Sequence, residues 1–289
     1  MADNVEIQES AESKVCKEVR NIDGIPTLIS YACVESFDLK KCTKAVVVIP
    51  GNPGLVRFYD CFIASLFKAC ERRYPVFGIQ HAGHGILKET SSFPNKSPFS
   101  LSQQINHKIA FLENIFSPSC KFVLIGHSIG AYIILKILEH FGKHQTRCTK
   151  GILLFPTIER MASSPNGIFA TPVSKYFSWP LVLLTWWLSW LPLFIKRYLI
   201  DVWFNGRKVH SSCKEAVIEL VNSSCVRNVL FMAADEMEEV NRTPVELISD
   251  HIDQLIFYYG ARDQWVPRSY YNEMCKGFLR HKSIFARIG

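Results

Sequence analysis

The chain has 289 residues, 48% of them apolar, and a formal net charge of +7. That length fits one globular domain with an insertion, and the apolar share suffices for a sizeable core. The charge is spread along the chain without a nucleic-acid motif, and the ten cysteines form no C-x-x-C pair. Nucleic acid is therefore not an expected partner, and no metal or other cofactor is expected.

The N-terminal run MADNVEIQESAESK is polar and acidic, with no apolar core of the kind a secretory signal carries. A cytosolic setting with reduced cysteines is the expectation, and the N-x-[ST] matches at Asn95, Asn222 and Asn241 are read as chance. Residues 18–32 predict a hairpin turning at Asp23-Gly24. Residues 45–49, AVVVI, predict a strand buried on both faces, followed by Pro50-Gly51-Asn52-Pro53-Gly54 and a helical pattern over 55–69. Residues 75–80 predict a further strand ending at His81 and His84, which are expected at the same rim of the sheet, in a structural or substrate-contact role. Residues 91–100 read as an exposed loop, and His107, His140 and His144 fall on helical stretches expected at the surface.

Residues 122–125 form an apolar run that leads into Gly126-His127-Ser128-Ile129-Gly130, and an apolar helical pattern follows at once. This is G-x-S-x-G between a buried strand and a buried helix, the context in which a serine is forced above the strand ends as a nucleophile. Such a serine needs oxyanion donors, a base and an acid. One donor is expected from the amide of Ile129, next after the serine. The other is expected from Asn52, because Pro50 and Pro53 have no N–H to give. His127, inside the elbow, is expected beside the nucleophile rather than facing it.

Residues 150–156 predict the strand after the serine helix, and 254–260 predict another that ends in Gly260-Ala261-Arg262-Asp263. Asp263 is the candidate acid, with an alternative as the cap of a helix starting near Pro267. The one histidine after Asp263 is His281, ahead of a possible final strand over 283–288. It is a weak candidate base, because a base belongs on the loop after that strand. The closing helix beyond the strand is also missing. The alternation of strands and helices predicts a mostly parallel, doubly wound sheet in a single domain, with a cap inserted at 157–250.

Within that insertion, residues 176–195 (YFSWPLVLLTWWLSWLPLFI) carry no charge and hold four of the six tryptophans. The length could cross a bilayer. Pro180 and Pro192, the mid-segment tryptophans, and the need to keep Ser128 and Asp263 on one side argue instead for a monotopic insertion. A greasy cap helix packed over the active site is the alternative.

IPGNPG (49–54), PVFGIQHAGH (75–84), VLIGHSIGAY (123–132), LLFPTIERMASSPNG (153–167) and FYYGARDQWVP (257–267) resemble the lipid droplet-associated hydrolases, a family of α/β-hydrolases. The resemblance covers about residues 45–278. It implies an α/β-hydrolase fold and a serine esterase acting on lipid esters, with sterol esters proposed. It places such a protein on lipid droplets and the cytosolic face of the endoplasmic reticulum. Ser128 matches the family's nucleophile and Asp263 its acid, while the family's histidine motif after the last strand has no counterpart here. Two readings stand on the sequence: a serine lipid-ester hydrolase, impaired in this form, or a non-catalytic droplet-associated protein that keeps the fold.

Overall fold

The computed structural model describes residues 15–34, 37–85, 97–144, 146–278 and 286–288. The predicted hairpin is β1 (Cys16–Ile22) and β2 (Ile25–Ala32), antiparallel, with Ile22 opposite Ile25. Asp23 and Gly24 both have positive φ, at 48° and 81°, the geometry of a two-residue turn that matches strand twist. Asn21 Oδ1 secures the turn by accepting Gly24 N–H at 2.6 Å.

The remaining strands are β3 (Lys44–Ile49), β4 (Val76–Ile79), β5 (Lys121–His127), β6 (Cys148–Leu154), β7 (Leu255–Tyr259) and β8 (Ala286–Ile288). All eight form one sheet in the order β1-β2-β4-β3-β5-β6-β7-β8. Only β1–β2 and β2–β4 are antiparallel; from β4 through β8 every pairing is parallel. Parallel strands buried on both faces explain why these runs read as continuous apolar stretches. The predicted strands over 45–49, 75–80, 122–125, 150–156 and 254–260 each fall on one of them.

Helices α1 (Asp60–Ala69), α2 (Leu101–Ile115) and α3 (Ile129–Phe141) cover the two faces. The helical pattern from residue 55 begins as a tight 3₁₀ turn over Val56–Tyr59 before α1 starts. Ser100 caps α2 in a reciprocal pair with Gln103. Helix α3 is buried along most of its length, from Ile129 to Leu138. Each fully buried Ile or Leu there contributes about 1.5–3 kcal/mol. That burial seats the helix N-terminus firmly beneath the serine.

Between β6 and β7 the chain forms α4 (Pro165–Tyr176), α5 (Ser178–Ser189), α6 (Leu193–Phe204), α7 (Ser211–Leu220), α8 (Ser223–Glu239) and α9 (Val245–Asp250). The charge-free run 176–195 is therefore not one helix. It spans the end of α4, all of α5 and the start of α6, with Pro192 in a break across which α5 and α6 bend by 120°. No single helix among the described residues is long and apolar enough to cross a membrane. Last comes α10 (Arg268–Phe278), ahead of β8.

One sequence expectation fails in the α2 region. His107 is not at the surface but 3% exposed, with Nε2 2.8 Å from Thr27 Oγ1. Its neighbour Lys108 is buried too, donating to Gln80 O at 3.1 Å and lying 3.0 Å from His107 Nδ1. Burial pushes the Lys108 amine well below its usual range. A pair of polar side chains can enter this core because each finds a partner. His140 and His144 do lie at the surface.

Candidate active site

β5 ends at His127 and α3 begins at Ile129, so Ser128 alone makes the turn between them. Its φ of 54° and ψ of −121° are a strained conformation for a residue with a side chain, one that costs about 1–3 kcal/mol and is characteristic of functional sites. The flanking glycines are there for space. A Cβ on Gly126 would lie 2.4 Å from Gly130 O, and one on Gly130 would lie 2.4 Å from Ile49 O. Strand β5, helix α3 and strand β3 thus meet closer than any side chain allows. Ser128 Oγ lies 3.4 Å from Thr157 Oγ1, a buried residue just past β6.

The loop 51–54 stands against the serine: a Cβ on Gly51 would be 3.0 Å from Ser128 Cβ. Its amides sort themselves by elimination. Gly51 N–H donates to Tyr59 Oη at 2.9 Å, and Gly54 N–H donates to His84 Nδ1 at 3.1 Å. Pro53 has no N–H. Asn52 N–H is left without a partner among the described residues. On the other side Ile129, first residue of α3, has an amide with no intrahelical acceptor. Both amides named from the sequence are therefore free to bind an anion, and the second also gains from the helix dipole.

The histidines hold this loop in place. His81 and His84 are buried rather than lining an open pocket. His84 receives the Gly54 amide, and its basicity falls to a pKa of about 3 through burial and then the nearby Lys108 charge. The His81 ring packs where a Gly54 Cβ would approach to 2.2 Å. Burial, followed by the Lys108 charge, also pushes His81 well below its ordinary range, so it is neutral. His127 has Nδ1 2.7 Å from Tyr59 Oη and packs edge-on against Tyr59 and Phe155. Burial lowers its pKa, and the charge of Asp263 partly opposes that. It lies beside Ser128, as expected, and is committed to Tyr59.

Asp263 sits on the loop between β7 and α10. Its Oδ1 accepts the amides of Trp265 at 2.7 Å and Val266 at 3.2 Å. That fixes the carboxylate in a turn that ends before α10 begins at Arg268, so Asp263 anchors the turn and does not cap the helix. It leaves Oδ2 outside that turn, and the charge still reaches His127. His281 lies outside the described residues. The backbone of β8 pairs with β7 from Ala286 to Ile288, so His281 precedes that strand in the chain.

Three partners of the site were not picked out from the sequence. Tyr59 reads as an ordinary member of a helical pattern, and its contact with Gly51 depends on the 3₁₀ turn. Thr157 lies inside LLFPTIERM, the segment that carried the most specific resemblance, so a signal existed without an assigned role. Buried Glu236 on α8 reaches the Asn52 side chain, and nothing in its acidic surroundings marks it.

The sequence model described as "Lipid-droplet associated hydrolase" matches residues 42–286. The chain belongs to that family. The curated lipid droplet-associated hydrolase of Gallus gallus is 37% identical over 260 residues, covering 82% of this chain and 79% of the relative. The Drosophila melanogaster member is 37% identical over 268 residues, covering 89% and 86%. The Homo sapiens member is 36% identical over 252 residues, covering 83% and 76%. Among solved structures, a 2-hydroxy-6-oxo-6-phenylhexa-2,4-dienoate hydrolase from Rhodococcus superposes with a TM-score of 0.61 at 16% identity, covering 96% of this chain and 90% of that one. An epoxide hydrolase from Vigna radiata gives 0.59 at 12%, covering 95% and 91%. At such identities the likeness concerns the fold alone. The lipid-droplet associated hydrolase family thus has here the α/β-hydrolase fold that the motifs implied.

Proposed function

We propose that this chain is a serine hydrolase of lipid esters acting at the lipid droplet surface. Ser128 is the nucleophile, Asp263 orients the base, and the amides of Asn52 and Ile129 receive the oxyanion. The observation that carries this reading is the pairing of a strained Ser128 with a tethered loop in which the Asn52 amide has no partner among the described residues. In the reaction Ser128 Oγ attacks the ester carbonyl as the base takes its proton. The carbonyl oxygen becomes an oxyanion between the two amides. The alcohol then leaves with that proton, and water releases the fatty acid from the acyl-serine by the same route.

The substrate class is a sterol ester or a related neutral lipid ester. Support comes from the apolar surface that α4, α5 and α6 leave exposed. Phe169, Trp190 and Trp203 are 75%, 72% and 72% exposed, and α5 buries none of its residues. Exposed aromatic surface on this scale favours the interface of a membrane or droplet. This surface supports a location on droplets, and on the cytosolic face of the endoplasmic reticulum as the resemblance implies.

A specific observation favours a second reading, a non-catalytic droplet-associated protein that keeps the fold. Among the described residues Ser128 Oγ has Thr157 Oγ1 as its partner and no histidine; His127 beside it is tied to Tyr59, and His81 and His84 are buried. The test is release of fatty acid from emulsified cholesteryl oleate and triolein by the purified chain and by Ser128→Ala. Release that disappears in Ser128→Ala supports the hydrolase. Binding to the emulsion with no release above the variant supports the second reading.

A further inference from the structure

Acidic residues are nearly absent from one stretch of the insertion. Between residues 161 and 214 stand six Lys or Arg and one acid, Asp201, a net +5 against +7 for the whole chain. Basic residues are spread along the sequence; what this stretch lacks is acids to balance them. Asp201 is itself taken, with Oδ1 2.6 Å from Lys214 Nζ, and Lys175 is paired with Glu238. Lys196 Nζ donates to Ser189 O at 2.7 Å and so closes the C-terminal end of α5. Arg197, Arg207 and Lys208 remain. All three are exposed, and none has a carboxylate partner among the described residues.

These cations border the apolar face. Helix α6 buries one residue, Ile200. Phe194, Tyr198 and Val202, spaced four apart, form a row on the far side and are 73%, 67% and 56% exposed. Arg197 and Asp201 form the row beside it. Helix α6 ends at Phe204 because Asn205 takes the left-handed conformation, with φ 46° and ψ 52°. Arg207 N–H then donates to Phe204 O at 3.0 Å. Arg207 and Lys208 therefore follow directly on Trp203 and Phe204, whose ring centroids are 4.9 Å apart.

We propose that the outer face of α5 and α6 docks on anionic phospholipid, with Trp190, Phe194 and Trp203 in the headgroup layer and Arg197, Arg207 and Lys208 on the lipid charges. This rests on the droplet reading for the surface and adds the sign of its charge. A bare or neutral lipid surface takes up the rings and leaves the cations unanswered. A polyanion in water answers the cations and leaves Leu184, Phe194 and Val202 wet. A phospholipid layer with net negative charge takes both, since rings seat at the headgroup level and cations at the layer's edge. Helix α5 also packs on α8, whose Val229 O accepts from the Asn52 side chain at 2.9 Å. One helix thus joins the docking face to the loop beside Ser128.

The experiment is flotation of the purified chain with triolein emulsions coated with phosphatidylcholine alone or with about 30% phosphatidylserine added, at about 0.1 M and about 0.5 M NaCl. The wild type is compared with the triple variant Arg197→Gln, Arg207→Gln, Lys208→Gln, and retention on heparin is measured for both. At low salt the wild type is expected to prefer the anionic coat by about a hundredfold, roughly fivefold for each cation, and the preference should shrink at high salt. The variant should bind the neutral coat as the wild type does and lose most of the preference. Equal wild-type binding to the two coats, or a preference that survives in the variant, overturns the proposal and leaves the droplet reading standing. Retention on heparin with no preference between the coats makes the patch a polyanion site and overturns it too. No binding to either coat overturns both the proposal and the droplet reading. The wild-type comparison decides even if the variant does not fold.

Discussion

Tyr59 Oη lies 2.7 Å from Nδ1 of His127 and also accepts the amide of Gly51. One phenol therefore joins the residue before Ser128 to the loop that carries Asn52. The phenol oxygen receives Gly51 N–H, and the direction of its bond with His127 Nδ1 follows the tautomer of the ring. Burial raises the phenol pKa to about 12, so it stays protonated.

Tyr59→Phe removes this junction with little change in shape. It leaves a buried Gly51 N–H unpaired, which costs about 1–3 kcal/mol of stability. Fluorophosphonate labelling of Ser128 is expected to slow about tenfold as the Asn52 amide drifts from the serine. Thermal unfolding and labelling kinetics check both parts. A variant with full labelling rate would mean that the loop holds its position without Tyr59.

The acid and the base are tested together. Asp263→Asn keeps the Oδ1 acceptor of the turn to Trp265 and Val266 and removes the charge. Ester turnover is expected to drop by roughly two to four orders of magnitude with the melting temperature nearly unchanged. His281→Ala is expected to leave turnover within about twofold, against a loss of three or more orders for a true triad base. A large loss in His281→Ala would make His281 the base. An unaffected Asp263→Asn would reduce Asp263 to an anchor of that turn.

How much could be read from sequence differs from one residue to the next. The strands and the serine elbow were legible because their causes are local. β-branched runs bury on both faces of a parallel sheet, and Gly126 and Gly130 mark the close approach of three backbones. Asn52 was singled out because its proline neighbours cannot donate, and among the described residues its amide has no partner. His107 was not, because its partner Thr27 is 80 residues away and helical spacing alone reads a lone histidine as exposed. Glu236 lies in Asp235-Glu236-Met237-Glu238-Glu239, a composition that reads as a solvated helix face. Its burial follows from where α8 docks, a tertiary fact that overrides local pattern.

Glu236 also makes stability depend on pH. Its carboxyl titrates near 4.5 in the unfolded chain and near 8 when folded. Below about pH 4.5 both states hold the proton and there is no penalty. Between these values the unfolded chain has released its proton and the folded one has not, so stability falls as pH rises. The loss is complete above about pH 8 and amounts to a few kcal/mol, because each tenfold difference in proton affinity is worth about 1.4 kcal/mol. Melting temperatures of the wild type and Glu236→Gln at pH 6 and pH 9 measure it. The wild type should lose more on going alkaline, and parallel curves would contradict the assignment.

The surface of α5 and α6 is expected to carry the lipid contact. Leu183 and Trp190 are exposed and stand in the charge-free run. Glutamate at both positions should leave melting and labelling unchanged, because neither side chain is in the core. Flotation with triolein droplets should fall by about tenfold or more, since each buried charge costs at least 1–2 kcal/mol at the interface. Undiminished flotation would move the contact elsewhere on the chain.

Everything proposed for the site depends on Ser128 being an activated nucleophile. The measurement is labelling of the purified chain with a fluorophosphonate, followed by identification of the modified residue by peptide mass spectrometry. The expected result is a slow, saturable, single modification on Ser128 that vanishes in Ser128→Ala, with the oxyanion amides of Asn52 and Ile129 sustaining it. Modification at another residue, or a label that persists in Ser128→Ala, would contradict it.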